Sequence, residues 1–166
     1  MRQTQVVVRR SRATDLEAFE AFVAGLSVDT STKRFFAPTT RLPRSNARTL
    51  ITNSYTRGSF LAVDGERVVA HGCWAAVSDD TAEMAMVVTD RAQRRGIGDR
   101  LTQVLLRDLR DAGIRCMEMV VEPGNRAVVD LIRRSWPGAT ARTEDGLLTF
   151  ATPVVAEDAE ESRAVA

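Results

Sequence analysis

The stretch Val87-Val-Thr-Asp-Arg-Ala-Gln-Arg-Arg-Gly-Ile-Gly98 constrains the fold of this chain more than any other. Ala82 to Val88 reads as a strand. From Ile97 onward, Leu101, Val104, Leu105, Leu109 and Ala112 fall on one stripe of a long helix that Gly113 stops. Cys116 to Val121 is again strand-like. Strand, helix, strand implies a parallel pair joined by a crossover. Gly96 and Gly98 leave the backbone bare where the helix begins, and the first amides of a helix have no partner within it. Those N–H groups lie at the positive end of the helix dipole and suit a phosphate. Arg94, Arg95 and Arg100 add positive charge, so the physical reading is a diphosphate-bearing ligand.

Two familiar phosphate motifs do not fit. The dinucleotide fingerprint needs a third glycine where Leu101 stands, and it usually opens a domain. The P-loop needs Gly-Lys-Ser/Thr, and no lysine lies here.

The remaining elements complete a mixed sheet. Val6-Val-Val8 is a first strand. Thr14-Asp-Leu-Glu17 has capping-box spacing, with Thr14 as cap and Glu17 reaching back, ahead of a helix over 14–26 that carries Leu16, Phe19, Phe22, Val23 and Leu26. A short helix over 29–36 ends near Pro38. Pro43 opens a third, with Leu50, Ile51 and Tyr55 on one side. Phe60–Val63 and Val68–Val77 form a hairpin on Asp64-Gly65. A helix over 125–134 turns Val128, Leu131 and Ile132 inward, and strands near 139–142 and 147–151 follow. The expected fold is α/β: one domain over residues 1–152, a mixed sheet with helices on its faces. Residues 153–166, rich in Glu and Ala, are expected as a loose tail.

Composition removes whole classes of function. The 23 basic and 22 acidic residues of this 166-residue chain nearly cancel, which argues against nucleic acid as a partner. No apolar run approaches a membrane span, and the N-terminus has no signal core, so a cytoplasmic location is expected, with Cys73 and Cys116 as reduced thiols. One histidine, His71, and two cysteines argue against a multi-ligand zinc site. Any Ser-His-Asp or Cys-His centre would have to use His71. Lys33 is the only lysine among the basic residues.

Gln93-Arg-Arg-Gly96-Ile-Gly98 resembles the Gln/Arg-x-x-Gly-x-Gly/Ala signature of the GNAT superfamily of N-acetyltransferases. The likeness spans about residues 5–151. It implies a mostly antiparallel mixed sheet with one splayed strand pair. It also implies acetyl-CoA as donor, with its pyrophosphate on the amides of Gln93, Arg94, Arg95, Gly96, Ile97, Gly98 and Asp99. By the same resemblance the pantetheine arm pairs with the strand at Met86, Val87 and Val88, and Asn125 touches the cofactor. Leu26-Ser27 and Arg34-Phe35-Phe36 with Pro38 are similar to a segment of the GNAT domains of bacterial protein lysine acetyltransferases. Those domains carry an acidic strand residue ten positions before the signature Gln, and Glu83 stands there. The partners implied are acetyl-CoA and an amine acceptor, a protein among the candidates, acted on by a monomer or homodimer.

Acyl transfer to an amine requires loss of a proton from an ammonium of pKa about 10.4. Glu83, His71, Asp79, Asp80 and Asp90 are the nearby candidates for the base. Strand alternation puts Glu83, Ala85 and Val87 on one face and Ala82, Met84, Met86 and Val88 on the other. Glu83 is the leading base, and its apolar strand is expected to desolvate it and raise its pKa. Many GNAT enzymes use a tyrosine on the last helix as general acid. Ile132 holds the matching position here, and no tyrosine follows Tyr55. A small-amine N-acetyltransferase and a non-catalytic CoA-binding module are the rival readings.

Overall fold

The computed structural model describes residues 5–154. Its strands are β1 (Val7–Arg10), β2 (Arg57–Asp64), β3 (Arg67–Ala76), β4 (Thr81–Val88), β5 (Cys116–Val121), β6 (Thr140–Glu144) and β7 (Leu147–Pro153). Its helices are α1 (Leu16–Ala24), α2 (Val28–Phe35), α3 (Arg44–Leu50), α4 (Ile97–Asp111) and α5 (Arg126–Ser135). The strands form one sheet in the order β1-β2-β3-β4-β5-β7-β6. Every pairing is antiparallel except β4 with β5, the pair that α4 connects. The expected mixed sheet is therefore the observed one.

Helices cover both faces. On one, the α4 stripe of Ile97, Leu101, Leu105 and Leu109 packs with Val129 and Ile132 of α5 against Phe60, Trp74, Met84, Met117 and Phe150. Burying each of these large side chains contributes about 1.5–3 kcal/mol. Gly72 lets α4 approach, since a Cβ there would lie 2.7 Å from Leu105 Cδ1. On the other face, Phe19, Phe22 and Val23 of α1 and Ala47 of α3 pack on Leu61, Val68 and Val87. A buried polar contact ties α4 to β3: the Trp74 indole N–H donates to Asp108 Oδ2 at 2.8 Å, and Arg10 pairs with the other carboxylate oxygen.

Local details depart from the sequence reading. Asp15, not Thr14, occupies the N-cap position of α1, and it gives that helix no side-chain cap bond. Its carboxylate accepts the Arg12 N–H at 2.7 Å and two bonds from Arg9 at 2.8 Å. The Arg9 hydrogen bond holds Asp15 below the usual carboxylate range. Tyr55 follows α3 and is 92% exposed, so it does not join Leu50 and Ile51. In α5 the buried pair is Val129 and Ile132, whereas Leu131 faces outward. Of the expected tail, Pro153 closes β7 and residues 155–166 lie outside the described residues.

Candidate active site

The parallel pairing of β4 and β5 stops early. Thr81, Ala82 and Glu83 pair with Cys116, Met117 and Glu118, and beyond Glu83 no pairing joins the two strands. The free half of β4 has a definite orientation. Thr89 N–H donates to Val69 O and Val77 N–H to Thr81 O, which are closely bonded pairs of the β3–β4 ladder. By the same alternation Val87 is bonded to His71 and Ala85 to Cys73, so odd-numbered residues direct N–H and C=O toward β3. Met84, Met86 and Val88 direct theirs into the opening toward β5. Met86 and Val88 thus offer backbone to an extended ligand. Val87, expected to share that role, has its backbone engaged by β3 and its side chain buried under α1.

At the C-terminal end of β4 the chain turns into α4. The side-chain amide of Gln93 donates to Val88 O at 3.1 Å and braces the turn onto the strand. Arg94 and Gly96 both have positive φ, 57° and 71°. The first bond inside the helix is Arg100 N–H to Gly96 O, so the amides of Ile97, Gly98 and Asp99 precede the helical ladder. A Cβ built on Gly96 or Gly98 meets nothing within 4 Å, which leaves open space directly over these amides. Arg94, Arg95 and Arg100 are exposed around it. Ile97 contributes its amide alone, because its side chain is core. This cradle fits a diphosphate. Asn125 stands at the start of α5, beyond the end of β5, so it and the α4 cradle flank the opening.

Glu83 lies on the face opposite α4, and it is exposed. The apolar enclosure expected around it is absent, because its neighbours across the sheet are Ala75 and Glu118. Glu118 is held by Arg142 of β6 at 2.8 Å and 3.4 Å. Cys73 lies diagonally beside Glu83, and the Arg34 guanidinium donates to its sulfur at 3.6 Å. Burial pushes the Cys73 thiol up against the opposing pull of Arg34. Both cysteines are free thiols.

The other candidate bases are engaged elsewhere. His71 is buried, with Nε2 bonded to Ser59 Oγ and Leu50 O at 3.1 Å and its ring against Phe19. Burial lowers its pKa to about 3, so it is a neutral core residue. Asp90 accepts from Thr30 and Ser27, which hold it below the usual carboxylate range and fasten the start of α2 to the loop after β4. Asp79 and Asp80 stand at the opposite end of β4, and Asp80 pairs with Arg115 at 2.9 Å. Ile132 is core and carries no acid function. Sequence reading missed Glu118 and Arg142 at the site. Alternation on β5 marks Glu118 once the register with Glu83 is known.

A diphosphate cradle at one end of an open strand edge is what a coenzyme A thioester requires. The chain is an acyl-CoA-dependent N-acetyltransferase, and acetyl-CoA is its donor. It belongs to the acetyltransferase (GNAT) family, whose model matches residues 23–136. The GNAT domain of S. lividans PAT superposes with a TM-score of 0.81 at 24% identity, over 89% of this chain and 90% of that one. The ribosomal-protein-S18-alanine N-acetyltransferase from Escherichia coli gives 0.68 at 17% identity, over 93% and 98%. A phosphinothricin acetyltransferase from Sinorhizobium meliloti, solved with acetyl-CoA, gives 0.67 at 15% identity, over 89% and 88%. No curated protein matches the sequence. Among the described residues no helix is long and apolar enough to cross a membrane.

Proposed function

We propose that the acceptor is a protein lysine side chain and that Glu83 is the general base. One observation carries the second part. Glu83 is the last β4 residue paired to β5, so its carboxylate stands at the mouth of the opening that Met86 and Val88 line. Bound acetyl-CoA supplies an activated thioester carbonyl. The amides of Ile97, Gly98 and Asp99, with Arg94, Arg95 and Arg100, hold the pyrophosphate, and the Met86 and Val88 edge guides the arm toward Glu83. The acceptor ammonium passes a proton to Glu83, directly or through one water, leaving a neutral amine whose nitrogen forms the new N–C bond and gives its second proton to solvent as the C–S bond breaks. A Val88 amide aimed into the opening can donate to the oxygen on which negative charge develops. The coenzyme thiolate leaves without a tyrosine acid, since Tyr55 follows α3 and Ile132 is core.

The lysine reading is supported by the Leu26-Ser27 and Arg34-Phe35-Phe36 pattern, which in the structure forms α2 and its flanks beside Glu83's face. Glu83 itself is exposed on that face, as access by a protein acceptor needs. The two free thiols suit a reducing, cytoplasmic setting. The test is acetyl-CoA turnover against lysine-bearing proteins and against a panel of small amines, with products read by mass spectrometry. Acetyl-lysine on protein is the expected product. Turnover confined to small amines would replace this acceptor with the small-molecule one.

A further inference from the structure

Among the described residues Arg34 has no anionic partner. It lies in the last turn of α2 and reaches the sheet face that carries Glu83. Among the described residues its one hydrogen bond is to the Cys73 sulfur at 3.6 Å, a weak acceptor. Its carbon sits 4.9 Å from the centre of the Phe35 ring. Its Nε is buried with no hydrogen-bond partner. Among the described residues no carboxylate lies within ion-pair distance of it. An unpaired buried donor is costly to a fold, and an arginine fork matches a carboxylate in geometry and charge.

The position of this group is informative. Arg34 and Glu83 both bear electrostatically on Cys73, so opposite charges stand near one thiol on one sheet face. We propose that Arg34 binds a carboxylate of the acceptor while Glu83 receives its amine. The substrate class is then an amine with a nearby carboxylate: a lysine beside an acidic residue, or a free amino acid. This inference rests on the reading of Glu83 as the group that receives the amine.

Two matched acceptor pairs test it: lysine peptides with Asp or Asn beside the lysine, and a free amino acid or its carboxamide. Wild type should prefer the carboxylate member of one pair by about tenfold or more in kcat/KM, with the difference in KM. Arg34→Met should lose that preference while its acetyl-CoA Kd and its rate on the neutral member hold, and Arg34→Lys should restore part of it. Preference in the peptide pair identifies an acidic flanking residue, and preference in the amino-acid pair identifies a free amino acid. A wild type without preference, or an Arg34→Met variant that keeps it, overturns the inference. Failure of all four acceptors counts against the amine-transfer reading instead. Arg34 is then decided without turnover, by titrating glutarate into the CoA complex and following the Arg34 Nε–H resonance. A shift supports carboxylate binding, and an unmoved resonance contradicts it.

Discussion

Gly98→Glu separates the fold from the cofactor cradle. Gly98 is the second residue of α4, and a Cβ there meets nothing within 4 Å. The new side chain therefore enters open space and displaces no core atom. A carboxylate in the first turn of a helix stabilises it by about 0.3–1 kcal/mol, and removing a helical glycine acts in the same direction. Tm should stay level or rise by roughly 1–3 °C. The same carboxylate lies over the amides of Ile97, Gly98 and Asp99, where the pyrophosphate is placed. A charge-assisted hydrogen bond contributes about 1.5–3 kcal/mol, so losing two costs at least about 3 kcal/mol, or roughly 150-fold in Kd. Calorimetric titration with acetyl-CoA beside a thermal melt reads both quantities. An acetyl-CoA Kd within about threefold of wild type in a folded variant would refute the cradle.

Three further outcomes follow from the packing and the buried groups. In Gly58→Ala the new Cβ would lie 2.2 Å from both Asp108 Oδ2 and Trp74 Nε1. The bond between them must open, and urea denaturation should show a loss of about 2–4 kcal/mol. His71 is the only histidine, and its pKa falls from 6.5 to about 3 on folding. The unfolded chain therefore takes up a proton below pH 6.5 that the folded chain refuses. Stability, complete above that pH, should fall by about 2 kcal/mol between pH 7 and pH 5 and keep falling toward pH 3. Equal denaturation midpoints at pH 7 and pH 5 would contradict the burial of a neutral ring. Gln93→Ala removes the brace on Val88 O. It should raise the acetyl-CoA KM about three- to tenfold, as steady-state kinetics would show, while costing only about 0.5–1.5 kcal/mol of stability.

The second half of the chain was legible because its periodicities are strong and its signals local. The α4 stripe from Ile97 to Leu109, the glycine turn and the limits of β5 can be read from near neighbours in sequence, whereas Ala112, expected on the stripe, is exposed at the end of the helix. Alternation on β4 also assigned both faces correctly. What failed depended on distant partners. Thr14 has the spacing of a cap, but a 3-10 turn over Ala13–Asp15 precedes α1, and the Asp15 carboxylate turns back to the Arg12 N–H and the Arg9 guanidinium. Leu131 is apolar, yet the turn of α5 onto the sheet buries Val129 instead. An apolar strand suggested a desolvated Glu83, and only the register shows small Ala75 on one side and Glu118 on the other. The same limit applied to Val87, whose engagement with His71 follows from the parity of the hydrogen-bonded pairs. Arg34 was visible as part of a pattern, but its missing partner is a property of the folded molecule alone.

The most direct test of the proposed mechanism is the pH dependence of kcat for Glu83→Gln. Glu83 is exposed, so the substitution should leave stability and acetyl-CoA affinity essentially unchanged. Loss of a general base costs about 10²–10⁴ in rate, and the deficit should shrink at high pH as more of the acceptor amine loses its proton to solvent. A Glu83→Gln enzyme with wild-type kcat at neutral pH would contradict the mechanism.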